Sequence, residues 1–209
     1  MSESRLTDRD RIIIKEIDKW RACLGRHIRY LADFSGQRAC DRRLRTLIEL
    51  GFIERKRVIY GLPGIYRNTY RAKVIEPSIR PGDKVRIEHI THDIAVIDTA
   101  IYINQREGIP FSQITTEKQL HSQDGFGVRR HRPDFIYQKD NQSICIEVEL
   151  TLKSKDKFIK NMQDNFLNYD RQLWIVPDMQ SKIAHILEEN RANYPNIEIL
   201  EIKEVQLHD

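Results

Sequence analysis

Two alternating runs constrain this chain most: Arg132-Pro-Asp-Phe-Ile-Tyr137 and Ser143-Ile-Cys-Ile-Glu-Val-Glu-Leu-Thr151. Between them lies Gln138-Lys-Asp-Asn-Gln142, rich in residues that favour turns. A hairpin closed tightly at Asp140-Asn141 puts Lys139 opposite Gln142 and Asp134 opposite Glu147. Facing residues share one side of a sheet, with Cβ atoms roughly 4.5–5.5 Å apart. Side chains alternate, so Glu149 and Thr151 join the side of Asp134 and Glu147, together with Ile136 and Cys145. Phe135, Tyr137, Ile144, Ile146, Val148 and Leu150 form the other, apolar side. Three carboxylates so close repel one another unless a cation or a basic side chain lies among them. Clustered carboxylate oxygens are what Mg²⁺ or Mn²⁺ requires.

The 209 residues allow one large domain or two small ones, and 32% of them are charged. No apolar run reaches the ~20 residues of a spanning helix, so no membrane partner is expected. Met-Ser-Glu-Ser-Arg5 lacks the apolar core of a signal peptide, which gives the expectation of a cytoplasmic protein. Cys23, Cys40 and Cys145 are widely separated and odd in number, a pattern expected of reduced core residues.

The net charge of +4 is unevenly spread. Between Arg21 and Lys73 stand thirteen Arg or Lys residues against Asp33, Asp41, Glu49 and Glu54. Such a basic stretch beside a balanced remainder points to nucleic acid. Thr7 with Asp8 and Asp10 marks a helix start, and Ile13, Ile14, Ile17 and Trp20 follow at helical spacing. A second short helix is expected over 26–34, a turn at Ser35-Gly36-Gln37, and a third helix over 38–50 with Gly51 as its stop. Ala39, Leu44, Leu47, Ile48 and Leu50 are its expected buried positions, and Arg38, Asp41, Arg42, Arg45 and Thr46 its outward ones.

Helix, three-residue turn containing glycine, helix and then Leu50-Gly-Phe-Ile-Glu-Arg55 resemble the winged helix-turn-helix family. By that resemblance 55–60 and 66–71 are the expected wing strands, with Gly61-Leu-Pro-Gly64 at the tip. That resemblance implies a domain over 1–75 that binds double-stranded DNA. Its expected contacts are Arg38, Arg42, Arg43, Arg45, Arg55, Lys56, Arg57, Arg67 and Arg71.

Glu76-Pro-Ser-Ile-Arg-Pro-Gly-Asp83 reads as a linker, and a second domain is expected over 84–209. Its expected elements are a helix over 88–104, a strand over 111–116, a loop over 121–131 and the acidic hairpin. After these come a helix capped by Ser154, a strand at Leu173-Trp-Ile-Val176, a helix over 179–191 and a strand over 197–202. Pro133-Asp134 followed by Glu147-x-Glu149, in an αβββαβ order, resembles the PD-(D/E)xK nuclease superfamily. The resemblance implies metal held by Asp134 and Glu147, and attack of water on phosphate. Glu149 stands where that superfamily usually has lysine, and Lys153 or Lys155 could supply the missing charge. Asp134, Glu147, Glu149 and Lys153 are therefore the candidate catalytic residues. His89, His92 and Asp93 share one helical face, a spacing that could also hold metal and equally suits a polar helix start.

The whole chain, α/β (α+β) in class, resembles the replication-relaxation family of plasmids and other mobile elements. Beyond the N-terminal basic domain, that resemblance is carried by His89-Ile-Thr-His-Asp93, Pro133-Asp134, Glu147-Val-Glu-Leu-Thr151, Lys153-Ser-Lys155 and Tyr169. It implies DNA transactions of a mobile element, with a Mg²⁺- or Mn²⁺-dependent endonuclease or nickase-like domain. The alternative is a non-catalytic regulator or replication accessory factor whose nuclease-like fold serves dimerisation. A homodimer is expected in either case, because paired binding domains read two-fold DNA sites.

Overall fold

The computed structural model describes residues 6–81, 87–124, 127, 130–152 and 154–207. Among them are eight α-helices and two β-sheets, in two compact units that divide after Ile97. The division falls inside a helix rather than in the 76–83 stretch, because Ile90 and Ile94 pack against Leu24 and Ile65 of the first unit. Among the described residues no helix is long and apolar enough to cross a membrane.

The first unit begins with helix α1 (Asp8–Lys19), whose start is fixed by Thr7. The backbone N–H and hydroxyl of Thr7 both donate to Asp10, at 2.6 and 2.9 Å. Helix α2 (Gly25–Leu31) and helix α3 (Gln37–Glu49) follow, and Cys23 bridges to Tyr66 just before α2. Gly51, at φ 75°, ends α3 in a conformation that costs glycine little, and its N–H donates to the Ile48 carbonyl. Ile13, Ile14, Ile17, Leu24, Ile28, Leu44 and Leu47 are buried in this unit. Ala39 and Ile48 of α3 face outward instead, and Cys40 is buried.

Strands β1 (Ile53–Lys56) and β2 (Ile65–Asn68) form an antiparallel pair with Glu54 opposite Arg67. They begin earlier than expected and leave a longer connection over 57–64. Asn68 explains part of this register: its side-chain amide donates to the Ile14 carbonyl at 2.8 Å, tying β2 to α1.

Helix α4 (Ile90–Glu107) begins in the first unit and continues into the second, where it leads to a two-residue strand β3 (Thr115–Thr116) and a short helix α5 (Glu117–Gln123). The expected strand over 111–116 is thus mostly a 3-10 turn at Phe111–Gln113, and α5 occupies part of what reads in the sequence as a loop. Strands β4 (Phe135–Lys139) and β5 (Gln142–Val148) form the hairpin. Asp140 and Asn141 sit at φ 48° and 65°, the left-handed pair a two-residue hairpin loop demands. Lys139 pairs with Gln142 and Phe135 with Ile146, as the alternation of the two runs requires.

Helix α6 (Lys155–Asn168), strand β6 (Arg171–Val176), helix α7 (Lys182–Asn190), strand β7 (Ile197–Glu201) and the short helix α8 (Ile202–Val205) complete the unit. The sheet order is β3-β4-β5-β6-β7, with β5, β6 and β7 parallel. Parallel strands need crossovers, and here helices α6 and α7 supply them. Phe158 and Met162 of α6 pack on Trp174, together with Ile183, Ile186 and Leu187 of α7. Trp174 pairs with Glu147, so α6 and α7 cover the side of the sheet that carries Glu147. Tyr137, on the opposite side, donates its hydroxyl to Glu107 of α4.

Arg43 of α3 makes two hydrogen bonds to the fully buried Asp10 carboxylate, one of them from Nε at 2.5 Å. Burial pushes the Asp10 carboxyl up, but the Arg43 and Thr7 hydrogen bonds outweigh it and hold the group below its ordinary value. Removing one partner of a buried pair leaves an uncompensated charge. Arg43→Met should therefore lower stability by about 3 kcal/mol, measured as a fall in the urea midpoint at unchanged slope.

Candidate functional site

The hairpin register brings Asp134 and Glu147 together one step beyond the last pair, Phe135 with Ile146. The Asp134 N–H donates to the Ile146 carbonyl at 3.1 Å, extending the ladder. Its Oδ2 accepts from the Val148 N–H at 2.7 Å, which fixes the carboxylate against the end of β5. Glu147 is 8% exposed, beneath α6. Its Oε1 accepts from Asn165 Nδ2 at 2.8 Å and lies 2.6 Å from His131 Nε2.

Desolvation pushes the Glu147 carboxyl up and the nearby Asp134 adds to that, while His131 and Asn165 pull the other way; the net shift is upward. For His131, burial lowers the imidazole, but the Glu147 hydrogen bond and the charges of Glu147, Asp164 and Asp134 together raise it above its ordinary value. The repulsion expected among the carboxylates is thus answered by a side chain of the protein itself.

His131 and Asp134 are held by their neighbours. Arg132 bonds Asp124 twice, one of the contacts from Nε at 3.2 Å, and also reaches the Tyr169 hydroxyl. Arg130 adds a 3.0 Å bond to Asp124. These contacts drive the Asp124 carboxyl far below its ordinary range, the Arg132 hydrogen bond first. With Pro133 buried, the chain enters β4 on a fixed path.

Glu149 is half-buried just past the end of β5, its N–H donating to the Ile175 carbonyl at 2.9 Å. Lys153 lies outside the described residues, and Lys155 is exposed at the start of α6. His89 belongs to a 3-10 turn, while His92 and Asp93 sit side by side in α4, 3.4 Å apart.

Among the described residues no three His, Cys, Asp or Glu are grouped as a metal ion's ligands. Glu147 Oε1 already has two partners, His131 and Asn165, so this oxygen does not fit Mg²⁺ or Mn²⁺ while both stay in place.

The first unit carries the other candidate surface. Arg38, Arg42 and Arg45 are exposed along one face of α3. Arg55, Lys56 and Arg57 are exposed at the end of β1 and just after it, and the exposed Arg71 lies over the Phe52 ring at 5.3 Å. Two others are engaged within the fold: Arg43 by Asp10, and the half-buried Arg67 by Glu54 at 3.9 Å.

Sequence reasoning missed His131, Asn165 and Asp124. His131 stands two residues before Pro133, close enough to the acidic pair to be weighed with it. Asn165 follows Phe158 and Met162 at helical spacing, a polar residue in an apolar stripe that signals a buried partner. Asp124 offers no such signal. No family model matches the chain, and no match is found among curated proteins or solved structures.

Asn165→Ala should cost about 1–3 kcal/mol, the penalty for withdrawing a donor from a buried acceptor, read from urea midpoints. The His131 contact also has a pH signature. An imidazole raised by folding contributes stability in full below its unfolded value, 6.5, and loses it as pH rises through the higher folded value. The stability gap between wild type and His131→Asn should therefore be widest at pH 6 and narrow towards pH 9; a gap that widens with pH contradicts the assignment.

Proposed function

We propose that this chain is a DNA-binding protein of the mobile-element class. In this reading its first unit is a winged helix-turn-helix, and its second a PD-(D/E)xK-like domain. One observation carries the DNA-binding part: α3 presents Arg38, Arg42 and Arg45 outward while Arg43 is tied to Asp10. A helix that keeps one arginine for its own fold and leaves three exposed suits phosphates and base edges. Arg55, Lys56, Arg57 and Arg71 extend the same charge onto the hairpin side of the unit.

For the second unit, the support is the element order and the approach of Asp134 to Glu147 at the end of the β4–β5 hairpin. With Glu147 occupied by His131 and Asn165, the reading the geometry favours is a nuclease-like fold serving a DNA-binding regulator or replication accessory factor. The pairing of Asp134 with Glu147 is the one observation that favours the second reading, metal-dependent cleavage.

Binding to duplex DNA should fall with added salt, with a log–log slope of about −0.9 for each phosphate neutralised by the protein. Arg42→Ala combined with Arg45→Ala should weaken binding and make that slope shallower by roughly 0.9 for each phosphate the variant no longer reaches. A double variant that binds duplex DNA with the wild-type slope removes α3 as the binding element. Plasmid nicking that is present in wild type with Mg²⁺ or Mn²⁺, and absent in Glu147→Gln, would establish the second reading instead.

A further inference from the structure

We infer that His131 is the resident occupant of the cation position in the second unit, and that it closes the Asp134–Glu147 pair to divalent ions. The inference rests on the nuclease-like reading of that unit.

A carboxylate oxygen offers two lone-pair sites, and Glu147 Oε1 meets two nitrogens, His131 Nε2 at 2.6 Å and Asn165 Nδ2 at 2.8 Å. A Mg²⁺ ion demands near-ideal octahedral geometry at 2.0–2.1 Å, so it reaches this oxygen only if a nitrogen withdraws. Asn165 is 1% exposed and belongs to α6, whose neighbouring Met162 is fully buried. His131 comes from the segment preceding β4 and is half-buried. The imidazole is therefore the group that can leave.

The surroundings agree. Asp134, Glu147 and Asp164 all act on the imidazole, the acidic environment a divalent ion would otherwise meet. Asp134 is fixed independently by the Val148 N–H, so departure of His131 leaves the carboxylate pair in place. The next residue, Arg132, is clamped by Asp124 and Tyr169, which returns the imidazole to Glu147 rather than letting it wander.

The test uses the full chain at one fixed pH. Free Mn²⁺ is followed by electron paramagnetic resonance, and thermal melts are run with and without Mg²⁺ and Mn²⁺. Wild type should take up no Mn²⁺ at millimolar concentration and show an unchanged Tm. His131→Ala and His131→Asn should each bind one Mn²⁺ and gain several degrees in Tm, because a ligand of the folded state stabilises it. Adding Glu147→Gln to His131→Ala should abolish both effects.

Wild-type uptake that Glu147→Gln removes would overturn the role of His131 and leave the nuclease-like reading standing. No uptake by wild type or by either His131 variant would overturn the cation position, and that reading of the site with it. A His131 variant that fails to fold alone should recover its fold when refolded in Mn²⁺, and failure to recover overturns the inference.

Discussion

A carboxylate beneath a helix on the central strand of a sheet is the condition the second unit has to meet. Taking an ion out of water costs several kcal/mol unless it is paired and hydrogen-bonded. Glu147 sits on the side of the sheet shared with Trp174, under α6. It is tolerable there only because three separate parts of the chain converge on it. The tight loop at Asp140-Asn141 sets the hairpin register, α6 must dock with Asn165 inward, and the segment before β4 must bring His131 across. A slip of one residue in the hairpin would turn Glu147 to the opposite side, among Phe135 and Tyr137. The buried acid thus makes the pairing of β4 with β5 and the docking of α6 depend on one another.

The first unit handles its buried acid differently. Asp10 closes the start of α1 and at the same time receives Arg43 from α3, so one carboxylate both caps a helix and joins two of them. At 3.6 residues per turn, residues 38, 42 and 45 fall on one face of α3 while residue 43 falls well around its flank. A single helix therefore divides its arginines between fold and surface according to angle alone.

The same angular logic explains what the sequence revealed. The outward arginines of α3 follow from helical spacing, and the β4–β5 pairing follows from period-two alternation around a two-residue loop. Those signals are local. Burial of the acidic side was not legible, because it depends on α6 and α7 crossing over between parallel strands, a tertiary event the hairpin cannot announce. The apparent strand at 111–116 misled for a related reason: apolar Phe111 and Ile114 suit a turn packed on the core as well as a strand, and only Thr115 and Thr116 pair with β4. For the candidate site, Asp134 and Glu147 were legible as facing residues. Their partners His131 and Asn165 come from a loop and a later helix, beyond the reach of strand periodicity.

The three cysteines, buried as core residues, have a practical consequence. Cys23 and Cys40 lie in the first unit and Cys145 in the second, each at 0–1% exposure. Burial raises all three thiols, Cys40 to about 12 and the other two well above the ordinary value. Thiolate is the reactive form, so alkylating reagents meet a protein that is chemically silent while it stays folded. Modification then has to wait for local opening. The rate at which Cys145 is labelled, set against that of Cys23 and Cys40, becomes an intrinsic clock for how independently the two halves of the chain breathe.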